Sequence, residues 1–167
     1  MAISGRPSPY SSRNRPSTMT RLRSLGVDAV LLLMDVVFVG AAGALSSLAT
    51  SYTAAWWLQL LCVAGLAWRV SRAPLVRSAF LGWVFATAWG VAGTWWLYIS
   101  MNRYGGLSPV LAGAAVFALN AFLGLYLAVA MGLFARMRRN RAALDALLSA
   151  ACWLLAELAR GVLFTGF

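Results

Sequence analysis

The chain has 167 residues, 62% of them apolar and 11% charged, with a mean hydropathy of +0.77. That balance excludes a soluble globular domain, which is nearer half apolar and a quarter charged, and it excludes a disordered chain; two Cys also exclude a disulfide framework. Fourteen basic residues, every one an Arg, stand against four acidic ones for a net charge of +10, and there is neither His nor Lys. The usual general base near neutral pH and the usual amine nucleophile are therefore missing, which leaves the chain poorly equipped for catalysis by itself.

Taken in chain order, residues 1–26 are rich in Arg, Ser and Pro and read as a disordered tail, leaving residues 27–167 for a membrane bundle. Charge-free stretches then mark the membrane segments: residues 36–68, 78–102 and 104–135. A spanning helix needs roughly 20 apolar residues at about 1.5 Å each, so the second and third stretches hold one helix apiece, at 79–101 and 109–134. The first is too long for one span and is broken by Thr50-Ser51-Tyr52-Thr53, which predicts helices over 29–49 and 55–70. A fifth span is predicted over 143–163, with Asp145 near one end and Glu157 and Arg160 near the other. The fold expected is all-α, a polytopic bundle of about five transmembrane helices.

Arginine placement orients it. Arg6, Arg13, Arg15, Arg21 and Arg23 lie in the tail, Arg69, Arg72 and Arg77 in the second connection, and Arg136, Arg138, Arg139 and Arg141 in the fourth. These positions fall on one side of a five-span bundle, and only Arg103 and Arg160 fall on the other. The positive-inside rule gives a cytoplasmic N-terminus and an outer C-terminus. Trp56, Trp57, Trp95, Trp96 and Tyr98 fall near outer span ends and Trp68 and Trp83 near inner ones, as interfacial belts do. The net charge is accordingly a topology signal and a contact for anionic headgroups; no nucleic acid is expected as a partner. Ala42-Gly43-Ala44 has the form of a signal-peptide cleavage site, but the basic leader is long and Asp28 and Asp35 interrupt the apolar run.

Polar residues inside the spans carry the remaining information. Asp35 either lies about two turns into the first helix, where a carboxylate costs about 3 kcal/mol and must face protein or water, or sits near the headgroups because the helix starts later. Asn120, midway along the fourth span, is expected to make an interhelical hydrogen bond worth about 1 kcal/mol, with a substrate contact as the other reading. Glu157 and Arg160 are spaced i,i+3 on one helix face, so they either pair within the bundle or snorkel to the outer headgroups. A pair would fix the outer end of that helix and the turn after it, Phe164-Thr165-Gly166-Phe167. Cys62 and Cys152 read as small packing residues, and without His no Cys–His arrangement or zinc site is available; no cofactor or metal is expected. Small residues four apart, Ala86 with Gly90 and Gly40 with Ala44, let helix backbones approach. Gly105-Gly106 followed by Ser108-Pro109 signals a turn between the third and fourth spans.

Two stretches go beyond a generic bundle. The first runs from Gly82-Trp83-Val84-Phe85 through Gly93-Thr94-Trp95-Trp96-Leu97-Tyr98-Ile99-Ser100 to Tyr104-Gly105-Gly106. It resembles the third membrane segment of apolipoprotein N-acyltransferases. The second, Ala156-Glu157-Leu158-Ala159-Arg160-Gly161-Val162-Leu163-Phe164-Thr165-Gly166-Phe167, is similar to that family's most recognisable membrane-domain motif, which in the family continues with Pro-Trp. The first outer turn, Ala49-Thr50-Ser51-Tyr52, departs from the family in lacking a Pro.

The resemblance implies an enzyme of the bacterial inner membrane that transfers an acyl chain from a phospholipid to the α-amino group of a lipoprotein's diacylglyceryl-cysteine. The partners it implies are that phospholipid donor, the apolipoprotein and membrane lipids. It implies eight spans and an outward nitrilase-like domain with a Glu-Lys-Cys triad that forms a thioester acyl-enzyme. Neither Cys62 nor Cys152 sits in a matching motif, so no catalytic residue carries over. The expectation is a fragment covering spans one to five, inactive alone, with Tyr98, Asn102, Glu157, Arg160 and Thr165 as structural or substrate-facing candidates at the outer face. The competing reading is a small non-enzymatic membrane protein, a transporter half or an assembly subunit; transporter halves often carry internal repeats, and none is found between the two halves of this chain.

Overall fold

A computed structural model describes residues 18–51 and 53–163. The described residues are almost entirely helical: α1 (Thr18–Ser51), α2 (Trp56–Val70), α3 (Leu75–Gly93), the short α4 (Trp95–Ile99), α5 (Pro109–Met137) and α6 (Ala142–Leu163). The chain divides into two units, one ending at Leu32 and one beginning at Leu33. Helix α1 begins at Thr18, eleven residues ahead of the predicted start, inside the stretch read as tail; the first 17 residues lie outside the described ones.

Among the described residues four helices are long and apolar enough to cross a bilayer: Val27–Thr50 within α1, α3, α5 and α6. Helix α2 has 15 residues, about 22 Å at 1.5 Å per residue and short of a hydrocarbon core of about 30 Å. A 3₁₀ turn, Thr53–Ala55, leads into it and adds about 6 Å. The break predicted at residues 50–53 is present, since α1 stops at Ser51 and this turn follows.

Each boundary has a local cause. Pro109 opens α5 at a position whose amide has no helical partner, and Ser108 Oγ accepts from the Leu111 N–H. Asp145 in the first turn of α6 accepts the Arg139 backbone N–H at 2.9 Å, placing negative charge where the helix dipole favours it. The C-terminal carbonyls of α2 are satisfied from elsewhere in the fold. Ser78 Oγ donates to Val70 O and Ala73 O, and the Arg138 guanidinium donates to Val70 O at 3.1 Å and to Ser71 O. Gly105 and Gly106 make the predicted turn, with Gly106 at φ +68°, a conformation that needs no side chain.

Within the second unit, α3 packs most extensively on α5, and α5 next on α6. The core is Leu66 and Val70 of α2, Leu81 and Phe85 of α3, Met131 and Phe134 of α5, and Val39 of α1. Trp153 of α6 meets Phe85 edge-on at 5.9 Å and Trp89 at 6.2 Å. Cys62 and Cys152 are both buried and unpaired, the packing role expected of them. Lipid tails are as apolar as these side chains, so close approach rather than water exclusion must hold the helices together. A Cβ on Gly43 would lie 2.4 Å from the Phe85 carbonyl oxygen, and one on Gly82 would lie 2.8 Å from Leu127 O. Here backbone meets backbone between α1 and α3 and between α3 and α5. The sequence pattern pointed to Gly40 on α1, but a Cβ there would make an ordinary 3.6 Å contact with Val84; the tight position is Gly43.

Trp56, Trp57, Trp95 and Trp96 are all more than half exposed. Trp83 is different. Its indole N–H donates to Ala121 O at 2.8 Å, which fixes the ring between α3 and α5. An indole N–H among apolar helices needs an acceptor, and a neighbouring carbonyl supplies one.

Candidate functional site

The predicted third span, 79–101, is two pieces in the structure. Helix α3 closes at Gly93, and Thr94, at φ −100° and ψ 20°, separates it from α4. Both the Thr94 amide and its hydroxyl donate to Gly90 O, at 2.8 and 2.9 Å. The Gly90 carbonyl thus serves two donors, and the helix is interrupted at Thr94. Asn120 of α5 then binds the break: its Nδ2 donates to Thr94 Oγ1 at 2.8 Å and to Val116 O at 2.9 Å. A Cβ on Gly90 would fall 2.1 Å from Asn120 Oδ1, so the amide occupies the space that glycine leaves. The interhelical bond expected of Asn120 is present, and Thr94 is the partner that sequence reasoning missed.

Beside this lock a cavity of about 60 Å³ lies between α3, α5 and α6, with Trp89, Gly90, Asn120, Glu157 and Arg160 among its lining residues. It is large enough to hold water. Glu157 and Arg160 pair on its α6 side, Arg160 Nη2 donating to Glu157 Oε2 at 2.6 Å, with each side chain about a third exposed. Of the two sequence readings the structure takes pairing. Arg160 Nε is buried and has no protein partner, so the pair keeps one donor in hand. An intramembrane ion pair, an amide and an unused guanidinium donor around one small cavity can hold water or the polar end of an amphiphile.

The other candidates sit apart from this cluster. Tyr98 lies on α4, stacked on Trp95 with ring centroids 4.8 Å apart. Asn102 lies in the π-helical turn Ser100–Tyr104, where its Nδ2 donates to Leu107 O at 2.8 Å and closes the loop into α5. Among the described residues no hydrogen bond or ion pair joins Tyr98 or Asn102 to Glu157 or Arg160. Thr165, with the rest of the turn after α6, lies outside the described residues.

Of the two readings of Asp35 the structure takes the first, a carboxylate within the helix that faces protein. It is buried, at 4% exposure, yet it is level with the last turn of α2 and the first of α3, because Arg69 and Arg77 both reach it. Arg77 Nη2 donates to Oδ2 at 2.6 Å and Arg69 meets Oδ1. A carboxylate with a guanidinium on each oxygen needs neither water nor substrate. Sequence reasoning had counted Arg69 and Arg77 only as topology signals; the available clue was an acid inside a span of a chain with so few acids.

Comparison with known proteins places this architecture. Residues 42–167 match the apolipoprotein N-acyltransferase N-terminal domain. An apolipoprotein N-acyltransferase of Verminephrobacter eiseniae is 56% identical over 117 residues, covering 67% of this chain and 22% of that protein. One from Ralstonia nicotianae is 38% identical over 154 residues, covering 90% of this chain and 29% of its own length. A third, from Pseudomonas putida, is 43% identical over 129 residues, or 76% and 26% of the two chains. The chain thus spans less than a third of the length of these relatives. With a helical membrane bundle and a matched N-terminal domain in hand, we conclude that this chain belongs to the apolipoprotein N-acyltransferase family and corresponds to the membrane-embedded N-terminal part of such an enzyme.

Proposed function

We propose that the bundle serves acyl transfer from a phospholipid to the N-terminal cysteine of a lipoprotein, anchoring the enzyme in the bacterial inner membrane and shaping the lipid-accessible surface beside the reaction. The names of its relatives supply the transferase class, and the Glu157–Arg160 pair on the α3–α5–α6 cavity is the observation that carries the local reading. Its orientation in this proposal is N-terminus inside and C-terminus outside, with α2 as the short second of five spans and the Gly90–Thr94–Asn120 lock, Tyr98 and Asn102 toward the outer end. The family's substrates, a phospholipid donor and an apolipoprotein acceptor, are the partners proposed. Residues 27–167 act as one membrane domain.

The experiment is a chimaera. Residues 42–167 replace the corresponding segment of the 56%-identical Verminephrobacter enzyme, and lipoprotein N-acylation is followed by mass spectrometry in cells depleted of their own transferase. The expected result is restored N-acylation, lost again when Glu157→Ala is introduced while membrane insertion is retained. A chimaera that inserts in full amount and transfers nothing would overturn the proposal.

A further inference from the structure

At the end of the bundle opposite the Asn120 lock, the Arg side chains divide into those already committed and those left over. Arg69 and Arg77 are held by Asp35, and Arg138 by the carbonyls that end α2. Arg72, Arg136, Arg139 and Arg141 are exposed, and among the described residues none of them pairs with a carboxylate, although Arg72 lies over the Trp68 ring at 4.5 Å. Of these four, Arg136 borders an apolar groove. It stands at the rim of a groove of about 430 Å³ between α3 and α5, with Leu75 and Ala79 on one wall and Ala128, Gly132 and Leu133 on the other. The groove is nearly all apolar below the guanidinium. Its α5 wall from Ala128 to Arg136 is about 12 Å long at 1.5 Å per residue, and small residues keep it open.

We infer that this groove binds one anionic phospholipid, its acyl chain lying along Ala79, Ala128 and Gly132 and its phosphate on Arg136. Three observations favour that occupant over another helix or a soluble anion. The lining is apolar along its length, which a free phosphate does not use. A single uncompensated positive charge stands at one end, which matches a headgroup and not a second apolar helix. The surrounding Arg residues are spent on protein groups or lie off the groove, so the charge that remains is placed rather than spread. The site lies at the other end of the bundle from the Glu157–Arg160 cavity and is independent of the acyl-transfer proposal.

The test is native mass spectrometry of the 167-residue chain in mixed micelles holding equal phosphatidylglycerol and phosphatidylcholine, counting retained lipid. The wild type should favour phosphatidylglycerol about fivefold, the effect of one Arg at a membrane surface. Arg136→Gln should bring the two lipids to parity, and Arg141→Gln, the same loss of charge off the groove, should leave the preference intact. Ala128→Phe, which fills the groove from an outward position, should lower retention of both lipids. Glycerol 3-phosphate in excess should displace nothing. Equal losses from Arg136→Gln and Arg141→Gln would reduce the effect to general surface charge and overturn the inference. Undiminished retention in Ala128→Phe, or displacement by glycerol 3-phosphate, would overturn it as well.

Discussion

Gly43→Ala tests whether backbone contact between α1 and α3 holds this bundle. The added Cβ would lie 2.4 Å from Phe85 O and 3.1 and 3.2 Å from the Phe85 carbonyl carbon and Cα. A carbon and a carbonyl oxygen approach to about 3.4 Å at best, so the helices must part locally by about 1 Å. No side-chain rotation relieves this, because the obstacle is main chain. A gap of that size forfeits a quarter to a half of each dispersion contact across the seam, and overpacking of this kind costs about 1–3 kcal/mol. Alanine also gains about 1 kcal/mol over glycine in helix propensity, which masks part of the loss. Gly40→Ala supplies the control: one turn earlier on the same helix, it gains the same propensity but meets Val84 at a relaxed 3.6 Å. The difference between the two variants isolates the clash, and Gly43→Ala should be less stable than Gly40→Ala by about 1–3 kcal/mol. Unfolding by SDS titration in mixed micelles, followed by circular dichroism, measures it. Equal midpoints for the two variants would refute backbone contact as the source of cohesion here.

Three further outcomes follow from the polar contacts. Asn120→Ala should cost about 1 kcal/mol, the usual value of an interhelical hydrogen bond in a membrane, and should make Gly90→Ala milder than it is in the parent, a coupling that a double-mutant cycle reads directly. Asp35→Ala leaves two guanidiniums unpaired and should cost about 3 kcal/mol; Arg77→Gln should cost less, since Arg69 still holds the carboxylate, and the same SDS titration orders the two. Glu157→Ala should lower stability by no more than about 1 kcal/mol, the pair being a third exposed, yet abolish N-acylation in the chimaera; unchanged transfer would remove the pair from the proposed function.

Much of this architecture was legible because long apolar runs and Arg clusters are properties of composition. The start of α5 at Pro109 follows from cap residues that act locally, Ser108 and Pro109 itself. The break at Thr94 was not legible. Nothing in Gly93-Thr94-Trp95 forbids a continuous helix; the interruption goes with a hydroxyl bonding back to Gly90 and with Asn120 arriving from α5, a partner 26 residues away. Trp83 misled for a related reason, since its indole looks the same in sequence whether its N–H meets a headgroup or Ala121 O. Glu157 and Arg160 were found together because their spacing on one helix decides their contact. Asp35 and Arg77 were not paired in advance, because their meeting depends on how α1 and α3 are placed.

The carboxylate of Asp35 also bears on how the protein is made. Its first partner, Arg69, lies 34 residues further along the chain and Arg77 lies 42, so at about 5–20 residues per second the ribosome needs roughly 2–7 s to deliver the first guanidinium. During that interval α1 carries a negative charge that no guanidinium yet covers, and the oily interior of the bilayer resists it. The first helix must therefore be held at the translocation machinery, or ride high in the membrane, until the hairpin that follows catches up. Membrane entry of the leading three helices becomes a joint event, timed by synthesis rather than by the hydrophobicity of each segment in turn.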